Sequence, residues 1–384
     1  MTDRIIRLTA ADYSEAIAFL NRIFSVYAPH DFANMLPGIY RATDAHMAHN
    51  YAVKRNGRIA AIVGMFPVQW RVGDRTFRVA GIGGVSTDPD HRGAGLMQAL
   101  MAHCLRRMDG QGFHLSYLGG QRQRYLHYGY DRCGIQPVCT LNRTNVRAFF
   151  SGEPDLNFAP LDRTAQPRVL QAWKLHAAQP VHGVRARKDF YSYLLAWHHR
   201  PHAILDRAGR MVGYLVANQK KDFVAELVAE DGDTAWRAIA AWVLKESPGS
   251  VVVEAYPLAG GLLHGLARYS ENVTAGASGN WRVMDWAAVT DALLRVQQSQ
   301  GALPDGAVVV GIREYGAIRL QVGSGKASCR RVKAPPDVEC DAPTAMRLLF
   351  GPLPPDLVLD LPRAARALQS WCPLPLGFAR QDSV

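Results

Sequence analysis

The stretch from Gly81 to Met97 constrains this chain more than any other part of its sequence. It reads as a glycine-containing strand, a loop with Arg92, Gly93 and Gly95, and the start of a helix. In such a unit several backbone N–H groups and the positive end of a helix dipole point to one place. Glycines let the backbone approach a ligand, and an arginine adds a charge-assisted partner. The stretch predicts a pyrophosphate cradle, although a tight strand-to-helix connection would use the same glycines.

Hydrophobic spacing and turn residues predict the elements around this stretch. We expect a helix from Tyr13 to Ser25, a β-hairpin around Asn56-Gly57 and a second turn at Gly73-Asp74. A helix over Leu96–Met108 and a strand over Phe113–Leu118 follow. The expected strands on either side of the two turns are Tyr51–Lys54, Arg58–Phe66, Trp70–Val72 and Thr76–Ala80, and a further strand, Ile82–Ser86, follows them.

A weaker copy of this order follows later in the chain. Its expected hairpin, strand, helix and final strand are His202–Asp206 with Met211–Val216, Phe223–Ala229, Trp236–Leu244 and Ser250–Ala255. The spacing indicates an approximate internal duplication. At the place of the glycine-rich loop, this copy has the acidic stretch from Glu230 to Asp233, which would repel an anion.

From Trp281 onward the pattern changes again. The expected elements are a helix over Asp285–Leu294, strands over Ala307–Ile312 and Ala317–Val322, a helix capped by Asp341, and a last helix from Asp360 to Leu368. This mixture of helices and strands is typical of an α+β domain. With 384 residues and ~150 residues per domain, we expect domains at 1–150, 151–280 and 281–384.

The charge is concentrated at the start of the chain. The net charge is +11, and residues 1–150 hold 18 Lys and Arg against 10 Asp and Glu. A positive charge of this size is also found in proteins that bind nucleic acid. No basic helix with interleaved aromatic residues is visible, so we expect no nucleic-acid partner.

The cysteines and the apolar runs indicate where in the cell the protein works. The six cysteines form no Cys-x-x-Cys pair and no zinc-type cluster, so we expect neither disulfides nor a metal. The longest apolar run, Ile59–Val68, is about half of the roughly 20 residues that a membrane helix needs. We therefore expect a cytoplasmic protein with no export signal and no membrane span.

Arg92-Gly93-Ala94-Gly95-Leu96-Met97, with the surrounding elements, resembles the GNAT family of acyl-CoA-dependent N-acyltransferases, whose motif is Arg/Gln-x-x-Gly-x-Gly/Ala. Met97 departs from the motif, because the family usually has glycine or alanine there. The resemblance implies that the diphosphate of acetyl-CoA is held by Arg92, Gly93, Ala94, Gly95, Leu96 and Met97, with Arg122 or Arg124 as further basic candidates. The strand residues that would offer backbone groups to the pantetheine arm are Val85, Ser86 and Thr87.

The segment from Tyr125 to Tyr130 looks like the Tyr-x-x-Phe-Gly-Tyr element of the enhanced intracellular survival (Eis) acetyltransferases, a GNAT subfamily. There the first tyrosine is the general acid that protonates the leaving CoA thiolate, and the matching residue is Tyr125. A phenol of pKa ~10 can give a proton to a thiolate of pKa ~8.5 and still be neutral at rest. A tyrosine at the start of a helix is otherwise more often part of a hydrophobic core.

The Eis subfamily also places its C-terminal carboxylate in the active site as the base, and the matching residue here is Val384. Asp382 is the alternative base. The tail from Cys372 is apolar and proline-stiffened, but it is polar after Phe378, unlike a buried segment. A C-terminal carboxylate has a pKa of ~3.5 in water, so it would need desolvation or a water relay.

Eis-like proteins combine an active GNAT lobe, a second lobe without the cofactor loop, and a lobe resembling sterol carrier protein. The expected fold is therefore α/β with mixed sheets, made of tandem GNAT-like lobes and a sterol-carrier-protein-like α+β domain. The resemblance implies a homo-oligomeric, metal-independent N-acetyltransferase that moves an acetyl group from acetyl-CoA to a primary amine of an aminoglycoside or polyamine type, or to lysine. The alternative is a non-catalytic CoA- or lipid-binding protein.

The sequence offers four candidate residues for the acceptor site. Asp12, Phe24, Phe32 and Trp70 are candidates for lining it, and each is equally compatible with a surface or core position. The net charge argues against strong attraction of a polycationic acceptor, unless the cleft is locally acidic.

Overall fold

The structure is a computed structural model, and it describes residues 4–26, 28–152 and 154–384. Its helices are α1 Tyr13–Phe24, α2 Phe32–Met35, α3 Asp44–Met47, α4 Leu96–Gly110, α5 Arg122–Tyr125, α6 Arg143–Phe149, α7 Gln166–Ala177, α8 Phe190–Leu194, α9 Gly232–Lys245, α10 Gly260–Ala267, α11 Trp286–Gln300, α12 Ala342–Phe350 and α13 Leu368–Trp371. Its strands are β1 Ile5–Arg7, β2 Asn50–Arg55, β3 Arg58–Val72, β4 Arg75–Thr87, β5 Leu115–Leu118, β6 Asp131–Cys133, β7 Gln136–Leu141, β8 Asn157–Pro160, β9 Val181–Gly183, β10 Arg200–Leu205, β11 Met211–Ala217, β12 Phe223–Ala229, β13 Val251–Glu254, β14 Asn272–Gly276, β15 Gly279–Val283, β16 Gly306–Ile312, β17 Gly316–Gly323, β18 Lys326–Val332 and β19 Val338–Cys340.

The first sheet holds the glycine-rich strand, β4. Its order is β1-β2-β3-β4-β5-β15-β6, with β9 paired to β3. The β2–β3 hairpin turns at Asn56 and Gly57, whose φ values of 50° and 77° confirm the predicted turn. Strand β4 runs antiparallel to β3 and parallel to β5, and α4 connects the two parallel strands. This crossover places the β4–α4 loop at the C-terminal end of β4, where α/β folds usually bind ligands.

The second sheet repeats this arrangement. Its order is β14-β7-β13-β12-β11-β10-β8. Strand β12 runs antiparallel to β11 and parallel to β13, and α9 lies between the parallel strands in the chain. The predicted second hairpin, strand and helix are therefore confirmed, and the internal duplication in element order is present in the topology.

A four-stranded sheet, β18-β17-β16-β19, forms the third part with α11 and α12. Trp286 and Leu293 of α11, Phe350 of α12 and Leu320 of β17 belong to one buried cluster. Asp341 caps α12 as predicted, because its carboxylate accepts a hydrogen bond from the Thr344 amide at 2.8 Å. The mixed α/β architecture expected from the sequence is thus present.

Strand pairing crosses the places where the domains were expected to divide. Strand β7 lies before residue 150, yet it pairs with β13 and β14 of the second sheet. Strand β15 pairs with β5 and β6, so residues 279–283 complete the first sheet. The division into 1–150, 151–280 and 281–384 stays a prediction.

Two expected groups of elements differ in the structure. The strands expected on either side of the Gly73-Asp74 turn are two long strands, β3 and β4, because their pairing continues through Pro67 opposite Ala80. The expected last helix is instead a 3-10 turn over Arg363–Ala365 followed by α13. The chain bends here to bury Trp371, whose indole N–H donates to the Pro304 carbonyl at 2.9 Å.

Two further features concern the whole described chain. All six cysteines are buried and unpaired. Within the described residues, the helices are all too short or too polar to cross a membrane.

Candidate active site

Strand β4 carries a bulge near its C-terminal end. The register of β3 and β4 shifts between Ile62 and Gly64, so Gly84 and Val85 of β4 together face one residue of β3. Gly84 has a φ of 60°, and a Cβ built on it would lie 2.8 Å from the Tyr40 hydroxyl. Glycine is therefore required at the bulge, which bends β4 and changes the direction of the groups that follow.

Beyond the bulge, the edge of β4 that faced β5 is open. Pairing between the two parallel strands ends at Ile82 and Leu118, whereas β4 continues to Thr87. In the part of the chain that the structure describes, no other strand pairs along this edge. The open segment contains the three predicted pantetheine contacts, Val85, Ser86 and Thr87, whose backbone groups are placed for an extended ligand.

The loop between β4 and α4 is held at its start and exposed at its end. Asp88 forms a 2.7 Å ion pair with Arg22 of α1. Residues 92–95 are exposed, and Gly93 and Gly95 have φ values of 79° and 73°. Because these values favour glycine, the two glycines determine the path of the loop around Ala94.

The start of α4 fits a bound anion. The helix begins at the buried Leu96, and its N-cap residue is Gly95, which has no side chain to cap it. By contrast, Asp231 caps α9 in the second sheet by accepting a hydrogen bond from the Thr234 amide at 2.7 Å. Among the described residues, the exposed Arg92 guanidinium has no hydrogen bond or ion pair. The uncapped N–H groups at the start of α4 and the nearby guanidinium of Arg92 suit the diphosphate of acetyl-CoA. The start of α9 does not, because Asp231 already caps it.

Tyr125 lies in the same hydrophobic cluster as Val85 and Met97. It is 6% exposed, and a Cβ on Gly120 would lie 3.0 Å from its ring. Burial raises the pKa of Tyr125, and the neighbouring Arg124 partly opposes this rise. The phenol is therefore protonated at neutral pH, as a proton donor must be.

Arg122 has a partner inside the protein. Its guanidinium is ion-paired with Asp131, which is fully buried, and Arg347 adds a second contact at 3.4 Å. Arg122 is therefore not free to bind the diphosphate. Arg92 and Arg124 are both exposed, and the Arg124 side chain forms a hydrogen bond with Tyr125. Arg92 is the exposed arginine of the loop itself.

The C-terminal residue lies against the glycines of β4. A Cβ built on Gly81 would be 2.7 Å from Cγ2 of Val384, and one on Gly83 would be 3.2 Å from the carboxyl carbon of Val384. These two glycines allow the chain end to approach the strand. The structure thus brings Val384 to the strand that carries Val85.

The polar residues at the end of the tail have partners. The Gln381 side chain donates to the Tyr193 carbonyl at 3.0 Å and forms a 2.9 Å hydrogen bond with Nδ1 of His199. The hydroxyl of Ser383 accepts from the Trp197 indole at 3.0 Å. These hydrogen bonds explain why a buried tail ends in polar residues.

Asp382 is held by a buried ion-pair network. Arg185 donates to Asp382 through Nε and Nη2, at 2.7 and 2.9 Å, and to Glu226 through Nη1 and Nη2, at 2.9 and 2.7 Å. Burial alone would raise the pKa of Glu226, but Arg185 overcomes this effect and holds it at about 2. Asp382 is thus an anchor for the tail, which makes it a poor alternative to Val384 as a base.

Tyr117 is a site residue that sequence reasoning missed. It lies on β5 opposite Gly81, and its hydroxyl donates to the Asp382 carbonyl at 2.8 Å. Burial raises the pKa of Tyr117 well above its usual value, and the Val384 backbone N–H beside it partly opposes this rise. Tyr117 therefore orients the last residues of the tail.

A cleft with an empty volume of about 680 Å³ lies beside the chain end. Its apolar lining includes Leu36, Ile39, Phe66, Val68 and Ala196. Its polar lining includes His46, His49, Ser192, Tyr193 and the last four residues of the tail. The cleft therefore opens beside Val384, at the end of the tail.

The residues expected to line the acceptor cleft are elsewhere. Asp12 accepts a 2.8 Å hydrogen bond from Lys54, and Phe24 packs edge-on against Phe32 with the ring centres 5.0 Å apart. Trp70 is fully buried and lines a separate cavity. None of the four side chains lines the cleft beside Val384, and their part in an acceptor site stays a prediction.

Comparisons with known proteins agree with this geometry. Residues 4–133 match a family profile described as an acetyltransferase (GNAT) domain. A GCN5-related N-acetyltransferase from Kribbella flavida has a TM-score of 0.67 at 19% identity, covering 99% of this chain and 98% of its own. Eis1 from Mycobacterium abscessus has a TM-score of 0.64 at 17% identity, covering 99% and 100%. A probable N-acyltransferase of unknown function from Enterococcus faecalis V583 has a TM-score of 0.67 at 15% identity, covering 98% of each chain.

None of the curated proteins matches this sequence. The solved structures share the fold over the whole chain, and the matched domain covers strands β1 to β6 of the first sheet and the β4–α4 loop. The protein is an acetyltransferase enzyme with a GNAT domain, which in general binds acyl-CoA and an acceptor.

Proposed function

We propose that this protein is an Eis-like N-acetyltransferase that transfers an acetyl group directly from acetyl-CoA to a primary amine. The observation that carries the proposal is the contact of Val384 with Gly81 and Gly83 of β4. Val384 also lines the cleft described above, so a C-terminal carboxylate at this place is next to both β4 and that cleft. The full-length likeness to Eis1 from Mycobacterium abscessus supports the same arrangement at the level of the fold.

Each proposed site residue has one task. Arg92 and the backbone of residues 93–97 bind the diphosphate, and the open edge at residues 85–87 binds the pantetheine arm. The backbone N–H of Val85 donates to the thioester carbonyl and stabilises the negative charge that develops there. Acetyl-CoA, when bound, supplies the activated acetyl group.

Two groups of the chain move protons. The carboxylate of Val384 takes a proton from the attacking amine, directly or through water, and Tyr125 gives its phenol proton to the leaving sulfur. In balance, an N–C bond forms, the C–S bond breaks, one proton leaves nitrogen and one reaches sulfur. Burial of Tyr125 keeps its proton in place until the thiolate forms.

The third part of the chain, with its four-stranded sheet, takes the sterol-carrier-protein-like role in this proposal. Its tail supplies the catalytic carboxylate. We also propose a cytoplasmic homo-oligomer, and the six buried, unpaired cysteines support a reducing compartment.

The test is a thiol-release assay with acetyl-CoA and a panel of primary amines, with the products identified by mass spectrometry. We expect stoichiometric release of free thiol and N-acetylated amine. A folded native protein that binds CoA but releases no thiol with any amine would instead be a CoA-binding protein, and the proposal would be wrong.

A further inference from the structure

We infer that the acceptor is a primary amine with one positive charge and an apolar or aromatic body, rather than a polycation. This inference rests on the proposed function and narrows its acceptor. It follows from the chemistry of the cleft beside Val384, which the sequence did not identify.

The walls of the cleft are mainly apolar. Leu36 and Ile39 come from the segment after α2, Phe66 and Val68 from β3, and Ala196 from the turn after α8. Burial of an apolar group against such walls contributes ~25 cal/mol per Å².

The cleft offers one carboxylate for a cation. Asp382 is among its lining residues, but its two carboxylate oxygens already accept from Arg185. Tyr193 is neutral, since burial raises its pKa. The carboxylate at the end of Val384 has no ion-pair partner among the described residues, so it is the group left for an ammonium.

The two histidines do not add negative charge and do not favour a second cation. Burial lowers the pKa of His46 and of His49, so both rings are neutral at pH 7. The charges that act on His46 are Arg41, Asp189 and Lys188, and Asp189 is already paired with Arg41 at 2.8 Å. The charge of Arg7 also lowers the pKa of His49.

A second ammonium would therefore lie against an apolar wall or near a cation. Neither place compensates the loss of its water, and an uncompensated charge is costly away from water. The net charge of +11 also opposes long-range attraction of a polycation. The condition under which a polycation would be favoured, a locally acidic cleft, is not met by the described lining residues.

The experiment measures kcat/KM for pairs of amines of similar size, with one or several charges. Phenethylamine and hexylamine are compared with 1,6-diaminohexane and spermidine, and an aminoglycoside serves as the large polycation. We expect the single-charge amines to be preferred by about tenfold or more, because the second charge has no partner. Binding of each amine to the CoA-bound protein is measured in parallel by calorimetry.

A matched pair of variants tests whether the cleft causes the preference. Ile39→Asp adds a second carboxylate to the apolar wall, and Ile39→Asn has nearly the same shape without the charge. We expect Ile39→Asp to raise kcat/KM for 1,6-diaminohexane relative to hexylamine by about tenfold. Ile39→Asn leaves the ratio near its native value. The KM for acetyl-CoA reports that both variants are folded.

The possible results separate this inference from the proposed function. Faster acetylation of spermidine or the aminoglycoside by the native protein overturns the inference and leaves the N-acetyltransferase in place. A preference for single-charge amines that Ile39→Asp does not change also overturns the assignment to this cleft. Binding of amines in the expected order without any acetylation supports the cleft chemistry and overturns the enzyme mechanism. Neither binding nor acetylation of any amine overturns both.

Discussion

The guanidinium of Arg185 holds the carboxylate of Asp382 with two hydrogen bonds of 2.7 and 2.9 Å. Arg185 lies between α7 and α8, whereas Asp382 is two residues from the chain end. Both side chains are almost fully buried, at 1% and 2% exposure. The pair therefore joins the tail that carries the proposed base to a distant part of the chain.

Asp382→Asn should loosen the tail. Breaking a buried ion pair costs ~3–5 kcal/mol, because the remaining charge loses its partner away from water. We expect a lower free energy of unfolding in urea and a fall in acetylation rate of about tenfold or more, with a nearly unchanged KM for acetyl-CoA. The control is Asp155→Asn, which removes an exposed, solvent-screened pair with Arg207 and should leave stability nearly unchanged. Equal effects of the two variants would contradict the anchoring role.

The position of the terminal carboxylate should be critical for the reaction. One glycine added after Val384 moves the carboxylate but keeps the side chains of the tail. We expect kcat to fall about 10²-fold or more, in line with loss of a positioned base, while CoA affinity is retained. Ser383→Ala keeps the carboxylate and should cost less than about tenfold. Full activity of the extended chain would remove the carboxylate from the mechanism.

Tyr125→Phe should slow the chemical step without weakening cofactor binding. Loss of a general acid lowers kcat by about 10²- to 10⁴-fold, and the phenyl ring still fills the cluster with Val85 and Met97. Stopped-flow or steady-state thiol release measures the effect. Tyr128→Phe is the matched control, because Tyr128 is half-buried at the edge of this cluster and has no proposed role. Similar rates for both variants would exclude Tyr125 as the acid.

Arg92→Ala should raise the KM for acetyl-CoA. A hydrogen bond to a charged group contributes ~1.5–3 kcal/mol, so we expect an increase of about ten- to a hundredfold. Arg106→Ala removes the same charge from an exposed position on α4, away from the loop. If both variants raised KM equally, the effect would be one of general charge rather than of the cradle.

The buried side chain of His176 should lower the free energy of unfolding as the pH falls. Burial lowers the pKa of His176 to about 4, and its usual value is 6.5. Between these values the unfolded chain binds a proton that the folded chain does not, so the folded state loses stability as the pH falls from 6.5 to 4. We expect a loss of about 3 kcal/mol over this window from this group alone. His176→Gln should flatten the pH dependence of urea unfolding, and an unchanged slope would contradict this assignment.

Local sequence patterns predicted the frame of the site. The Asn56-Gly57 turn and the helix after Gly95 both depend on neighbouring residues and the backbone they favour. The same holds for the cap that Asp341 places on α12. Residue spacing also predicted the second copy of the fold, because its strands and helix keep their own hydrophobic periods.

The groups that depend on distant contacts could not be predicted in this way. Arg185 meets Glu226 and Asp382 across 41 and 197 residues, and no local pattern links them. The same reason explains why the sequence left Trp70 open between a core and an acceptor position, since its burial depends on Trp281 and Phe378. The polar end of an otherwise apolar tail was the available signal that the tail has specific partners.

The place of β15 in the first sheet affects how the protein is made. Strand β15 pairs with β5 and β6, so the sheet that carries the cradle cannot be complete while residues 279–283 are still inside the ribosome. The proposed base comes later still, because it is the last residue, Val384. If the proposed function holds, a chain trimmed at its C-terminus by a protease would keep the cradle and lose acetylation activity.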